Sequence, residues 1–426
     1  MTTERLIPWL FLAASLWGAA FTLNAFRPLR GARRSVVSFF AGWLTTELAF
    51  HHIAWQVAMT ALFVFAGALH AWPGVVGLVV TLASWAGLAR CLTVARSAES
   101  VVASALDAGL GAGYRDAILP DVGGPLVPRI DWRRIVAPLP VRHPEVERTR
   151  DIVYTRAGGV DLKLDVYRHR GRPTGCPTLL QIHGGAWILG SKNEQGIPLM
   201  VELASHGWVC VSADYRLSPR ATFPDHLVDL KRAIAWIRDH VAEYGGDPDF
   251  LVVTGGSAGG HLAALVALTA NEPEYQPGFE HVDTSVAGCV AFYGVYDFTD
   301  RHGVWGHAGL RRLLERHVMK APLASARDAW DKASPMAQVR PGAPPFFVIH
   351  GTHDTMVPVA EARHFCEVLR QAGALVVYAE IPGAQHAFEI FPSLRSTFVL
   401  HGVERFLAWL YSRYRAERGG VRAAAS

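Results

Sequence analysis

Charge is scarce in this chain. Across 426 residues only 18% are Asp, Glu, Lys or Arg, while 50% are hydrophobic. Typical soluble chains carry about 25% charged residues. With a mean hydropathy of +0.18, that shortage implies that part of the chain lives in lipid. The formal net charge is only +4. No Lys/Arg run of the kind that tracks a phosphate backbone is present, which argues against a nucleic-acid partner. Cysteine is also sparse. Cys91, Cys176, Cys210, Cys289 and Cys366 are widely spaced and odd in number. No Cys-x-x-Cys or Cys/His spacing occurs, so no metal motif is indicated and no metal or cofactor is expected. Scattered free thiols fit a reducing compartment.

The scarcity of charge is concentrated at the front. No charged side chain lies between Leu6 and Phe26, and Glu47 is the only full charge between Ser35 and Ala89. A crossing of the hydrocarbon core needs about 20 apolar residues. The pattern predicts about three spans within residues 1–95, the later two near 53–69 and 75–94. Arg27, Arg30, Arg33 and Arg34 come directly after the first span. Basic residues stay on the cytoplasmic side, so a multi-pass membrane anchor with the rest of the chain facing the cytoplasm is expected. Gly18-Ala19-Ala20 resembles a cleavage site, but Glu4 and the later spans favour an anchor over a signal peptide. Glu47 and His51, four apart, would share a helix face. Residues 96–146, with Leu119-Pro120-Asp121-Val122-Gly123-Gly124-Pro125, read as a linker.

From residue 147 short apolar runs alternate with helical stretches. Strands are expected at 151–154, 160–167, 178–182, 208–213, 250–253, 286–292, 345–349 and 375–380. Helices are expected at 224–244, 258–269 and 398–414. This alternation implies an α/β fold with a mostly parallel sheet covered on both faces, whose ligands bind beyond the strand carboxyl ends. This α/β unit would run over 147–415, with a cap insertion near 301–344 and a tail at 416–426.

Gly255-Gly256-Ser257-Ala258-Gly259 is a G-x-S-x-G motif between a strand and a helix. The sharp turn presents the serine as a nucleophile, and small neighbours let strand and helix approach. An acid and a histidine come later, in the chain order Ser, acid, His that accompanies this motif. Asp354 and His386 each sit just after a later strand. His386 would take the Ser257 proton and Asp354 would orient the imidazole. Asp297 is a rival acid. His350 and His353 flank Asp354, and His261 fits helix packing. Gln181-Ile182-His183-Gly184-Gly185-Ala186-Trp187 supplies a glycine loop after a strand. The N–H groups of Gly185 and Ala186, with that of Ala258, are the candidate oxyanion donors, and Gly184 is an alternative.

These segments resemble the hormone-sensitive-lipase-like branch of the α/β-hydrolases and its formamidase-like esterases. His183-Gly184-Gly185-Ala186 stands where that branch has His-Gly-Gly-Gly. Ser212 to Pro219 is similar to its Asp-Tyr-Arg-Leu-Ala-Pro segment, and Gly256 to Gly260 to its Gly-Asp-Ser-Ala-Gly-Gly. Gly256 departs from the usual Asp, and Ala186 from the last glycine. The resemblance covers residues 147–415 and implies a serine carboxylesterase or lipase acting on small-molecule or lipid esters. An amide hydrolase or an acyltransferase using the same triad is the alternative. Oligomeric state is not implied.

Overall fold

The computed structural model describes residues 3–122 and 130–424. Gly123, Gly124 and Pro125 of the linker stretch, and the last two residues of the tail, lie outside the described residues.

Runs rich in Val, Ile and aromatic residues, bounded by Gly and Pro, favour extended backbone. Each of the expected runs forms a strand: β1 (Val146–Ala157), β2 (Val160–His169), β3 (Cys176–Ile182), β4 (Val209–Ala213), β5 (Gly246–Gly256), β6 (Gly288–Phe292), β7 (Phe346–Gly351) and β8 (Val376–Ile381). They build one sheet in the order β1-β2-β4-β3-β5-β6-β7-β8. β2 pairs antiparallel with β1 and β4, and the remaining pairs are parallel. Strands β3, β4, β6 and β7 are buried along their whole length, as parallel strands with helices on both faces must be. Helices Asp225–His240, Ala258–Leu268 and Val359–Gln371 share a core with one face. The closing helix Leu394–Ala424, longer than its apolar pattern at 398–414 predicts, covers the other face. The apolar residues of the 301–344 insertion pack downward: Trp305, Leu314, Val318 and Trp330 are buried in the same core as the sheet.

The front of the chain is helical: α1 (Thr3–Phe26), α2 (Ala32–Glu47), α3 (Ala49–Phe65), α4 (Trp72–Arg96) and α5 (Ala98–Leu110). Segments Leu6–Phe26 and Trp72–Leu110 are long and apolar enough to cross a membrane. α2 and α3 pass that test only as a pair, and they are bent by 87°. This corrects the expected pairing of Glu47 with His51. The bend separates them, and Glu47 turns to Ser393 and Arg395, while His51 Nε2 lies 2.8 Å from the Val136 carbonyl. The stretch read as a linker begins as helix. Val102 of α5 packs against Gly402, and Gly109 against Val377, so the front helices and the sheet share one core. The Gly and Pro residues that signalled a boundary come after Leu110.

The front helices are inside out. Ser15, Thr22, Ser38, Thr45, Thr81 and Ser84 are buried, whereas Trp17, Leu23, Val37, Phe40, Phe65 and Val79 are exposed. Thr22 and Ser84 hydroxyls meet at 2.8 Å, and Thr81 donates to Ser15 at 2.9 Å. A helix in water turns its apolar stripe to the core. Small polar residues between helices and apolar ones outside is the arrangement that lipid favours.

Candidate active site

The parallel strands bring the carboxyl ends of β3, β5, β7 and β8 to one edge, and every candidate residue lies there. Ser257 joins β5 to helix Ala258–Leu268 with φ 60° and ψ −121°, a left-handed conformation uncommon for a residue with a Cβ. The turn is tight because its neighbours are small. A Cβ on Gly259 would lie 2.1 Å from the Ile182 carbonyl oxygen, and one on Gly255 would lie 2.5 Å from that of Gly259. The Ser257 N–H donates to Phe292 O at 3.0 Å, and its hydroxyl makes no hydrogen bond among the described residues.

Asp354 and His386 meet: Nδ1 of the ring lies 2.7 Å from Oδ2 of the carboxylate. Both side chains are buried. Oδ1 of Asp354 accepts from the N–H groups of Met356 and Val357 at 2.8 and 2.9 Å. Burial alone would push this carboxyl up, but the rings of His386 and His350 hold it well below the usual carboxylate range. Tyr293 links the Ser257 turn to His386. Its ring centroid lies 4.5 Å from that of His386, and it borders Gly256. The site is therefore assembled from loops after β5, β6, β7 and β8.

The glycine loop after β3 runs through three left-handed residues in succession, Gly185 (φ 115°), Ala186 (φ 53°) and Trp187 (φ 61°). Gly184 crosses over the elbow, where a Cβ would lie 2.6 Å from Gly256 O. The Gly184 N–H is taken by Gln195 Oε1 at 2.6 Å. The N–H groups of Gly185, Ala186 and Ala258 have no acceptor among the described residues, whereas that of the alternative, Gly184, is engaged. His183 holds the loop. Its Nδ1 lies 2.8 Å from Gly184 O, and its ring stacks on Tyr215 at 4.4 Å. Tyr215 in turn donates to His183 O at 3.0 Å. The Asp-Tyr-Arg-Leu segment thus clamps the loop from below, with Arg216 anchored on Asp229 at 2.8 Å.

The rival residues have other employment. Asp297 accepts from Thr299 and Arg301. His261 accepts at Nδ1 from Trp187 Nε1 at 3.1 Å, and its Nε2 lies 2.8 Å from Ala333 O. His350 Nε2 lies 3.3 Å from Asp354 Oδ2 and 2.9 Å from Val357 O, behind the acid rather than at the serine. His353 Nδ1 lies 3.0 Å from Ala25 O of α1.

Residues beyond the motifs complete the site. Gln385 Oε1 accepts from the N–H of Thr355 at 2.8 Å and of His386 at 3.0 Å, tying the acid loop to the histidine loop. Its place beside His386 is the only sequence signal that marked it. Phe39 of α2 stands edge-on to His386, centroids 5.9 Å apart, with no sequence signal at all. Beside the acid, a cavity of about 280 Å³ is bounded by Arg30, Gly31, Ser35, Trp305, His307 and Asp354. No cluster of His, Cys, Asp and Glu suited to a metal ion occurs among the described residues.

The BD-FAE family profile matches residues 164–369. The chain is 43% identical over 415 residues to the probable carboxylic ester hydrolase LipM of Mycobacterium tuberculosis, covering 93% of this chain and 92% of that protein. It is 46% identical over 282 residues to esterase LipQ of the same organism, 66% of each. Among solved structures, the apo form of Thermogutta terrifontis esterase 2 superposes with a TM-score of 0.51 at 30% identity, covering 63% of this chain and 96% of that one. The likeness to LipM extends into the front helices, because 415 matched residues are more than residues 147–426 contain.

Proposed function

Since the chain belongs to the α/β-hydrolase carboxylesterase family, we propose that it hydrolyses carboxylic esters through an acyl-enzyme on Ser257. The observation that carries this reading is the 2.7 Å contact between His386 Nδ1 and Asp354 at the edge where Ser257 occupies its left-handed turn. With Nδ1 engaged by Asp354, Nε2 of His386 is left to serve the serine. Ser257 Oγ attacks the ester carbonyl carbon while His386 takes its proton. The carbonyl oxygen becomes an oxyanion held by the N–H groups of Gly185, Ala186 and Ala258. Collapse expels the alcohol, which receives the proton from His386. Water then repeats the sequence on the acyl-enzyme, releasing the acid and restoring Ser257.

The same reading seats the enzyme in a membrane. The inside-out burial of α1 and α4 supports two crossings, by Leu6–Phe26 and by the α4 part of Trp72–Leu110, with α2 and α3 as a third, bent element. The unit of residues 1–95 is then the membrane unit and 147–415 the catalytic one. The arginines from Arg27 to Arg34 favour a cytoplasmic position for the latter.

The test is p-nitrophenyl ester hydrolysis on membranes carrying the wild type or Ser257→Ala. Turnover and fluorophosphonate labelling in the wild type, both lost in the variant, are expected. Equal turnover in both would overturn the assignment of Ser257.

A further inference from the structure

α2 is a wall of the active site. It touches the acid and histidine loops along its length. Ser35 O accepts from Thr355 Oγ1 at 2.9 Å. Gly42 lies against Gln385, where a Cβ would be 3.4 Å from Nε2. The closeness of that approach brings Phe39, one turn earlier, edge-on to His386. Trp43 stacks between Phe39 at 5.4 Å and Phe391 at 4.8 Å. At the end of the helix Glu47 is buried against Arg395 and accepts from Ser393 at 2.7 Å. A helix attached only as a tether needs none of these contacts.

The opposite face of α2 is apolar and open. Val37 is 70% exposed and Phe40 52%, while Ser38 and Thr45 are buried at 2% and 0%. Positions 33, 37, 40 and 44 fall on one helical stripe. Arg33 heads that stripe, and Val37, Phe40 and Leu44 complete it. That sequence of charge then oil suits a helix lying in a bilayer surface, its arginine among headgroups. The 87° bend to α3 is what such a helix needs, since α3 and α2 cannot both run along the membrane normal. One face of α2 thus meets lipid while its inner edge meets the catalytic histidine.

We infer that α2 forms the wall against which the ester's hydrocarbon lies, that Phe39 is a specificity-determining residue, and that the substrates are long-chain esters dissolved in the bilayer. This rests on the Ser257 reading above. A chain entering along α2 stays in apolar surroundings from the lipid to Phe39, and only its ester group leaves the oil to reach His386 and Ser257. Water-soluble short esters gain nothing from this path.

The experiment uses the full chain in phosphatidylcholine vesicles and p-nitrophenyl esters from acetate to dodecanoate, with rates normalised to fluorophosphonate-titrated serine. Wild-type kcat/KM should rise with chain length. Phe39→Ala should lower the dodecanoate-to-acetate ratio roughly tenfold, and Phe39→Leu should restore most of it. A long-chain fluorophosphonate with a terminal diazirine, once on Ser257, should cross-link to residues 36–44. Uniform scaling of all lengths with labelling intact, or cross-links confined to the catalytic unit, overturns the wall alone. Absence of labelling and turnover in the wild type overturns the triad as well.

Discussion

The ring of Tyr293 occupies the space that a side chain on Gly256 would take. A Cβ at 256 would lie 2.7 Å from the Tyr293 hydroxyl and 3.0 Å from its ring carbons. The glycine that departs from the related Gly-Asp-Ser pattern is therefore matched to the residue after β6. Tyr293 is buried and its hydroxyl is tied to Glu389, so the ring has no free direction in which to yield. Gly256→Asp should cost about 1–3 kcal/mol by overpacking, measured as the fall in thermal stability. Combining it with Tyr293→Ala should cost less than the two changes added together, because the aspartate then fills vacated space. Strict additivity would mean that the two positions do not compete.

Asp354 has both oxygens engaged, one by His386 and one by two backbone N–H groups. Asp354→Asn puts an amide in this place, which removes the charge that steadies the imidazolium. A fall in kcat of roughly 10³–10⁴-fold is expected on p-nitrophenyl butyrate, with folding retained. Gln385→Ala should act more weakly, about tenfold, since it loosens two loops without removing a reacting group. A Gln385→Ala variant as inactive as Asp354→Asn would show that loop tying, not charge, dominates.

Glu47 and Arg395 lie 348 positions apart and are buried together. Removing one partner leaves an unpaired buried charge, which costs about 3–5 kcal/mol, whereas exchanging both for apolar residues of like volume is often neutral. Glu47→Ala should thus lower the unfolding temperature of the detergent-solubilised enzyme strongly. Glu47→Met with Arg395→Met should recover most of the loss. If the double variant is as unstable as the single, the pair matters through packing rather than charge.

Much of the fold from Val146 onward, and the motifs gathered at its candidate site, were legible in the sequence because their signals are local. A G-x-S-x-G turn, a glycine loop and two loop residues after strands each arise from chemistry within a few positions. The sheet was legible from eight separated apolar runs. The parts that stayed hidden depend on distant contacts. Phe39 looks like any residue of an apolar stretch, and Glu47, which stands out as the lone charge there, has nothing near it in the chain that announces Arg395. The bend at Leu48 was hidden for a related reason. No Pro or Gly marks it; Glu47 before it is held instead by Ser393 and Arg395, and His51 after it lies against the Val136 carbonyl. The helix at 98–110 was missed because the Gly and Pro residues just beyond it dominated the composition.

Glu389 is a buried carboxyl that accepts from the Tyr293 hydroxyl, and its effect runs with pH. Burial pushes it up to about 7, against the lowering influence of the Tyr293 hydroxyl. In the unfolded chain an ordinary glutamate loses its proton near pH 4.5. Between these values the folded protein holds a proton that the unfolded chain has released. The stabilising contribution is therefore complete below about pH 4.5 and is lost as pH rises through about 7. A displacement of this size corresponds to roughly 3 kcal/mol. Glu389→Gln keeps an oxygen for the Tyr293 hydroxyl and cannot ionise. Comparing unfolding temperatures from pH 5 to pH 8.5 should show the wild type losing stability relative to the variant across that window. Glu361, pushed up to about 8 by burial, is common to both proteins and drops out of the difference. Parallel profiles would mean that Glu389 ionises at its ordinary value, with its charge met by the neighbouring His386.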